Sequence, residues 1–145
     1  MAEVAATVAG LAALVGGMGT ACREIVVEGA HMVQAAAMGL APVGDRPGAG
    51  QLRRSINVKG PLPSVLGWEA KVGPTVIYGR QRELGGPIFP VRAKALHWVD
   101  AAGVGHLASH VYQHPEPYMK PGLAQTRDAI YVMAAAKVAA VAGAA

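Results

Sequence analysis

Three histidines spaced four residues apart, His106, His110 and His114, are the first candidates for chemistry in this sequence. On a helix, this spacing would place the three imidazoles on one face, where they could bind a metal ion such as zinc. The segment HLASHVYQH, residues 106–114, instead alternates as a strand does, and Pro115 follows the last histidine. A strand would spread the imidazoles over a long distance. We therefore expect structural or surface histidines, with a metal-dependent enzyme as the alternative.

The remaining reactive side chains do not form a catalytic pattern. The single cysteine, Cys22, excludes an intrachain disulfide and a cysteine-based zinc site, and it lies in an apolar stretch that would not activate a thiol. The nine carboxylates form no evident acid–base pair, and the chain has no phosphate-binding loop, dinucleotide fingerprint or hydrolase elbow. We predict no enzymatic activity, no metal and no cofactor.

Two proline-stiffened segments stand out instead, YGRQRELGGPIFPVRAKALHW (78–98) and VYQHPEPYMKPGLAQTRD (111–128). Each joins an ordered element to a loop that loses little entropy on ordering, a property suited to contact surfaces. In the second segment, an elbow turns a strand at His114 into a helix at Pro121, with Tyr118 and Met119 between them. The elbow packs either on a neighbouring subunit or on the end of the domain's own sheet.

The elements that position these segments follow from periodicity. Residues 1–40 carry a heptad-like apolar stripe and predict a helix, which the glycines at 16, 17 and 19 either divide or open to a close neighbour. Residues 41–50 are a flexible linker. Alternation predicts strands at 52–58 and 68–74, paired as an antiparallel hairpin around a turn at PLPS. A short helix ending at Gly85-Gly86 follows, then an extended segment leading into a strand before residue 100, a turn, the strand 106–114 and a helix from Pro121.

This order predicts an α+β fold in one domain, residues 1–145. It comprises a long N-terminal helix, an antiparallel sheet of about four strands with a short inserted helix, and a C-terminal helix packed on the sheet. Residues 51–145 would form the α+β core.

Composition and charge limit the kinds of partner that the chain is expected to have. Hydrophobic residues make up 52% of the chain, but Ala and Gly carry much of that fraction, so we expect a thin core completed against other subunits. The net charge of +4 comes from scattered basic residues, which would tolerate a nearby polyanion without reading its sequence. Residues 4–22 are uncharged and could anchor a small membrane-associated protein, although Ala, Gly and Thr insert poorly. We prefer a buried or oligomer-facing helix for this segment.

The two proline-stiffened segments resemble the neck, or tail-completion, proteins of long-tailed bacteriophages. The resemblance rests on the order of Tyr78, Glu83, Gly85-Gly86, Pro87 to Pro90 and the AKAL step before Trp98. It continues with His114-Pro115, Pro117-Tyr118-Met119 and Pro121, and it extends from about Leu52 to the C-terminus.

The resemblance implies a structural virion protein at the head–tail junction, formed in the host cytoplasm as a ring around the DNA channel. A tail terminator ring is the related alternative. Expected partners are further copies of the chain, in a ring of six rather than twelve, adjacent head-connector and tail-tube or terminator proteins, and passing genome DNA without sequence-specific binding. No membrane is expected. The expected inter-subunit contact residues are Tyr78, Glu83, Gly85, Gly86, Pro87, Lys94, Leu96, Trp98, His114, Pro115, Pro117, Tyr118, Met119 and Pro121.

Overall fold

Two long antiparallel helices and three short β-ribbons make up the fold. A computed structural model describes residues 2–44, 49–65 and 67–143, with side chains from residue 12 onward. The elements are α1 (Ala2–Leu40), α2 (Gln51–Arg54), β1 (Ile56–Ser64), β2 (Gly67–Pro74), α3 (Gly79–Leu84), β3 (Gly86–Ile88), β4 (Leu96–Val99), β5 (Gly105–Ala108), β6 (Val111–Gln113) and α4 (Met119–Gly143). The predicted α+β class, with a long first helix and antiparallel strands, is confirmed.

Helix α1 is continuous through its glycines, so the interpretation that they divide it is wrong. Gly17 faces α4, where a methyl group added to it would lie 3.1 Å from Val141 Cγ1, whereas Gly16 and Gly19 have nothing within 4 Å. The predicted end of the helix at residue 40 is confirmed. Of the predicted linker, residues 45–48 lie outside the described part, as do the stripe side chains before residue 12. Among the described helices, none is long and apolar enough to cross a membrane.

Small residues bring α1 and α4 close together along their length. A methyl group added to Gly122 would lie 2.9 Å from the backbone nitrogen of Ala37, and one added to Gly29 would touch Ile130. With side chains this small, the two helices can pack at short range without large voids. The frame of the molecule is therefore a helix pair held by close contact.

Charged side chains fix the register of this helix pair. Lys137 of α4 lies between two carboxylates of α1, with Nζ 3.1 Å from Glu24 Oε2 and 2.9 Å from Glu28 Oε1. These hydrogen bonds raise the pKa of Lys137, the bond to Glu28 most strongly. The lysine therefore stays charged and links α4 to two successive turns of α1.

The β1–β2 ribbon packs on α1 and confirms the predicted antiparallel hairpin. Its limits differ from the prediction in two places. Leu52 to Arg54 are helical and Leu52 is buried, because the chain turns sharply at Gly50, whose φ is +84°. The segment PLPS is not a turn but the end of β1. A register shift between Lys59 and Leu62 takes Pro61, which has no N–H to donate, out of the ladder.

The other strands form two further ribbons rather than one sheet of about four strands. β3 pairs with β6, and β4 pairs with β5, both antiparallel. The predicted single strand 106–114 is interrupted at Ser109 and His110, because its two halves pair with different partners. Helix α4 packs along α1, and α1 in turn contacts the β1–β2 ribbon, so α1 separates the C-terminal helix from most of the sheet structure.

The buried core is small, as the composition predicts. Its members are Ala37, Ala41, Leu52, Ile56 and Tyr118. They gather where the end of α1, α2, β1 and the start of α4 meet. The side-chain amide of Gln34 ties α1 to this point by donating to the carbonyl of Ile56 at 2.8 Å.

The close crossing of the helices predicts opposite effects for two glycine substitutions. Gly122→Ala should lower the free energy of unfolding by about 1–3 kcal/mol, because the new methyl group meets the backbone of α1. Gly19→Ala, which meets nothing, should raise it by up to about 1 kcal/mol through helix propensity. Urea unfolding at one protein concentration measures both. Equal effects would contradict the described crossing.

Candidate functional site

The three spaced histidines are not brought together as metal ligands. His106 Nε2 lies 2.9 Å from Asp100 Oδ2, His110 lies beside Phe89, and His114 meets the ring of Tyr112 edge-on. Among the side chains that the structure describes, in residues 12–44, 49–65 and 67–143, no three His, Cys, Asp or Glu form a group that could hold a metal. The arrangement gives each histidine a local partner.

The two segments that carry the resemblance do meet in space. β3, from the first segment, pairs with β6, from the second, so that Gly86 lies opposite Gln113 and Pro87 opposite Tyr112. Gly85 approaches the second segment so closely that a methyl group there would lie 2.7 Å from the carbonyl oxygen of Gln113. Its φ of +68° also requires glycine. The two segments therefore form one structural unit, although they are separate in the sequence.

Glu83, the penultimate residue of α3, caps the start of α4. Its Oε2 accepts hydrogen bonds from the N–H groups of Tyr118 and Met119 at 2.7 and 2.9 Å. Its Oε1 accepts one from the N–H of Lys120 at 2.9 Å. The next residue, Pro121, carries no N–H. One carboxylate thus satisfies all the donors that the first turn leaves free, and its charge lies at the positive end of the helix dipole.

The ionised form of Glu83 is favoured by this environment. Partial burial raises the pKa of its carboxyl group, but the three backbone N–H donors and the nearby charge of Lys120 outweigh burial. The net result is a pKa below its ordinary value of 4.5. The carboxylate therefore stabilises the fold most when it carries its charge.

Tyr118 forms the second link between α3 and α4. Its side chain is 0% exposed, and its hydroxyl donates to the carbonyl oxygen of Gly79 at 3.1 Å. Gly79 has no room for a side chain, because a methyl group there would lie 2.5 Å from Pro74. The ring therefore lies inside the fold of the chain itself, although Tyr118 was among the expected inter-subunit contacts.

Arg82 and Glu116 complete the connection. Their side chains form an ion pair at 3.0 Å, and the N–H of Glu116 donates to the carbonyl of Arg82 at 2.8 Å. We call Gly79, Arg82, Glu83, Glu116 and Tyr118 together the clasp. It joins both ends of α3 to the elbow, and it fixes the direction in which α4 leaves the β-ribbons.

The other residues expected at a subunit contact divide into two groups. Gly85, Gly86, Pro87, His114, Pro115, Pro117, Met119 and Pro121 lie around the clasp, as does Tyr78, whose exposed hydroxyl donates to Gln51 at 3.4 Å. The second group consists of Lys94, Leu96 and Trp98, which belong to or precede the β4–β5 hairpin. Of this second group, Trp98 lines the same cavity as Arg82 and Glu116 of the clasp.

The β4–β5 hairpin, residues 96–108, which we call the arm, shares with Tyr78, Arg82 and Glu116 the lining of a cavity of about 1,630 Å³. Its strands pack chiefly against each other. The carboxylate of Asp100 holds its turn by accepting the N–H groups of Ala102 and Val104, both at 2.9 Å, and by pairing with His106. The hydrogen bond to His106 contributes most to lowering the pKa of Asp100. Trp98 stacks on His106 across the strands.

An apolar groove of about 650 Å³ lies beside the clasp. Its floor is α1, and its walls are β2 and the first half of α4. Glu83 and Lys120 stand at one end of it. The groove lies between α4 and β2. The predicted packing of the C-terminal helix on the sheet would have closed this space.

The capping role of Glu83 escaped the sequence analysis, although Glu83 itself was among the expected residues. The available signal was negative: α4 begins after Pro117-Tyr118, without Ser, Thr, Asp or Asn at the position that usually caps a helix. Such a start needs an acceptor from elsewhere in the chain. The Arg82–Glu116 pair and the contact of Gly122 with Ala37 left no local signal.

No family model, curated protein or solved structure matches this chain.

The cap predicts a specific cost for removing one charge. Glu83→Gln should lower the free energy of unfolding by about 2 kcal/mol, because the amide keeps one acceptor oxygen and turns donors toward the helix N–H groups. Glu69→Gln is the matched control, since Glu69 only pairs with Lys71 at 3.6 Å on the surface and should change it by less than about 1 kcal/mol. Comparable losses in urea unfolding would contradict the cap.

The lowered pKa of Glu83 also predicts how this effect depends on pH. The pKa of Glu83 is lower in the folded state than its ordinary value of 4.5, so the ionised carboxylate stabilises the fold fully above about pH 4.5. This stabilisation is lost as the pH falls through the folded-state pKa. The difference in unfolding free energy between wild type and Glu83→Gln should thus be constant near pH 7 and shrink below pH 4.5. A difference that stays unchanged down to pH 3 would contradict it.

Proposed function

We propose that this chain is the structural subunit of a closed ring, and that this ring is the neck or tail-completion ring at the head–tail junction of a long-tailed bacteriophage. The main observation in favour of a ring is that the folded chain exposes more surface than a monomer of its mass is expected to expose. The assignment to a phage neck rests on the resemblance of the two motif segments.

The accessible surface of the chain is 10,271 Å². A folded monomer of this mass, 14.8 kDa, is expected to expose about 7,000 Å². Only eight hydrophobic side chains among the described residues are buried, and the largest of them are Tyr118 and Ile56. A subunit with so little interior and so much surface is typical of chains that complete their burial in an assembly.

Much of the exposed apolar surface lies between residues 77 and 112. Its members are Ile77, Tyr78, Leu84, Ile88, Phe89, Val91, Trp98, Val99, Val104, Leu107 and Tyr112. Large exposed apolar side chains in this number indicate an interaction surface. It coincides with the first motif segment and the arm, which is where the resemblance puts contacts between subunits.

The clasp supplies the rigidity that a ring requires. A cyclic interface closes only when each subunit meets the next at one fixed rotation. The clasp joins the elbow to α3 through five hydrogen bonds and one ion pair that are all internal to the subunit. The angle between α4 and the β-ribbons is thereby set before assembly.

The charge distribution suits a channel for DNA. Arg54, Lys59, Lys71, Arg80, Arg92 and Lys94 are exposed and lie on different elements. Scattered positive charge attracts a polyanion weakly without selecting its sequence. We propose that the genome passes through the ring, with connector proteins on one side and tail-tube or terminator proteins on the other.

The proposal predicts a ring, six copies being favoured over twelve. Native mass spectrometry of the purified protein should give a species of six 14.8 kDa subunits, and negative-stain images should show a ring with a central channel. Immunogold labelling of virions should mark the head–tail junction. A protein that stays monomeric at every concentration and never enters virions would refute the proposal.

A further inference from the structure

We propose that the arm of one copy docks in the apolar groove of the next copy. Each subunit then offers its arm to one neighbour and its groove to the other. This inference rests on the proposed ring and specifies its interface. The occupant of the groove is therefore a second copy of this chain.

One face of the arm carries exposed apolar side chains, although Val99 also lines a cavity with Tyr78 and Arg82 of the same chain. The strand register places His97 opposite Leu107 and Val99 opposite Gly105, which puts Leu107 and Val99 on the same face. Leu107 is 74% exposed, and Val99 and Val104 are also exposed. The opposite face carries the stacked Trp98–His106 pair. A ribbon this short is only marginally stable alone, so its exposed face needs cover.

The groove offers an apolar surface of matching character. Ile25, Gly29 and Val33 of α1 form its floor, and Val72 and Leu123 lie on its two walls. Leu123 is itself exposed in the isolated subunit. Gly29, which lines the groove, also lies against Ile130 of α4.

The surface area supports a second copy as the occupant. The chain exposes 10,271 Å², about 3,000 Å² more than a monomer of its mass should. A subunit in a ring has two interfaces, and obligate interfaces bury about 1,000–2,500 Å² on each partner. The excess therefore lies within the range that two such interfaces would cover.

The asymmetry of the contact favours a ring. The arm and the groove are different surfaces, so a head-to-tail contact leaves one arm and one groove free until the chain of subunits closes on itself. A reciprocal dimer would satisfy both surfaces with two copies. The number of covalently linked subunits distinguishes these arrangements.

Disulfide trapping tests the contact directly. In a Cys22→Ser background, which has no other cysteine, Leu107→Cys is placed on the arm and Leu123→Cys on the groove. After mild oxidation, the double variant should give a ladder of covalent oligomers up to the full ring on non-reducing gels. Mixing the two single variants should give hetero-dimers. The control pairs Leu107→Cys with Val65→Cys, at the fully exposed β1–β2 turn, and should give no ladder.

A charge substitution provides an independent readout. Leu107→Asp should weaken association about tenfold or more, measured by dilution in native mass spectrometry, while the circular dichroism of the subunit stays unchanged, since the side chain is already exposed. Val65→Asp makes the same change outside the proposed contact and should leave association unaltered.

The outcomes separate this inference from the proposed function. Rings that form without the ladder, or with an equal ladder in the Val65 control, overturn arm-in-groove docking and leave the ring standing. A ladder that stops at two subunits overturns the head-to-tail arrangement. A wild-type protein that is monomeric at every concentration overturns the proposed ring itself.

Discussion

The carboxylate of Glu83 controls the point at which the C-terminal helix begins. Three backbone N–H groups converge on it, and the next residue is a proline that has none to offer. Because Glu83 is on α3, the cap also connects two elements that are 35 residues apart in the chain. The close packing of α4 on α1 requires this starting point, since Gly122 must lie against Ala37 only three residues into the helix.

The rest of the architecture follows from how little interior the chain has. Ala and Gly let two long helices approach each other, but they bury few large side chains. Polar links inside the subunit, the clasp and the Lys137 bridges, supply specificity that a larger core would otherwise provide. Many apolar side chains that find no place inside remain exposed, among them Val99, Val104 and Leu107 on the arm and Leu123 beside the groove. A chain built in this way holds its centre with polar links and leaves many apolar side chains exposed.

The local features were predictable from sequence and the long-range ones were not. Gly85 marks the end of α3 through its own backbone restriction, Pro121 lies in the first turn of α4, which begins two residues earlier than predicted, and the 68–74 alternation identifies a strand. The interruption at Ser109 was missed because alternation continues through it while the pairing partner changes, and pairing depends on distant strands. Likewise, nothing near Glu83 indicates that its acceptors serve a helix that starts 36 residues later at Met119. Of the clasp residues, only Glu83 and Tyr118 were named from the sequence, as expected inter-subunit contacts; Gly79, Arg82 and Glu116 were not.

Amide hydrogen exchange followed on assembled and diluted protein tests the central claim, that the clasp is internal to the subunit and the arm is completed between subunits. The account predicts that the amides of Tyr118, Met119 and Lys120 exchange slowly in both states, because their acceptor belongs to the same chain. The amides of the arm should be protected only on assembly, since docking in the groove suppresses its opening. Clasp amides that become protected only on assembly, or arm amides that exchange alike in both states, would contradict the account.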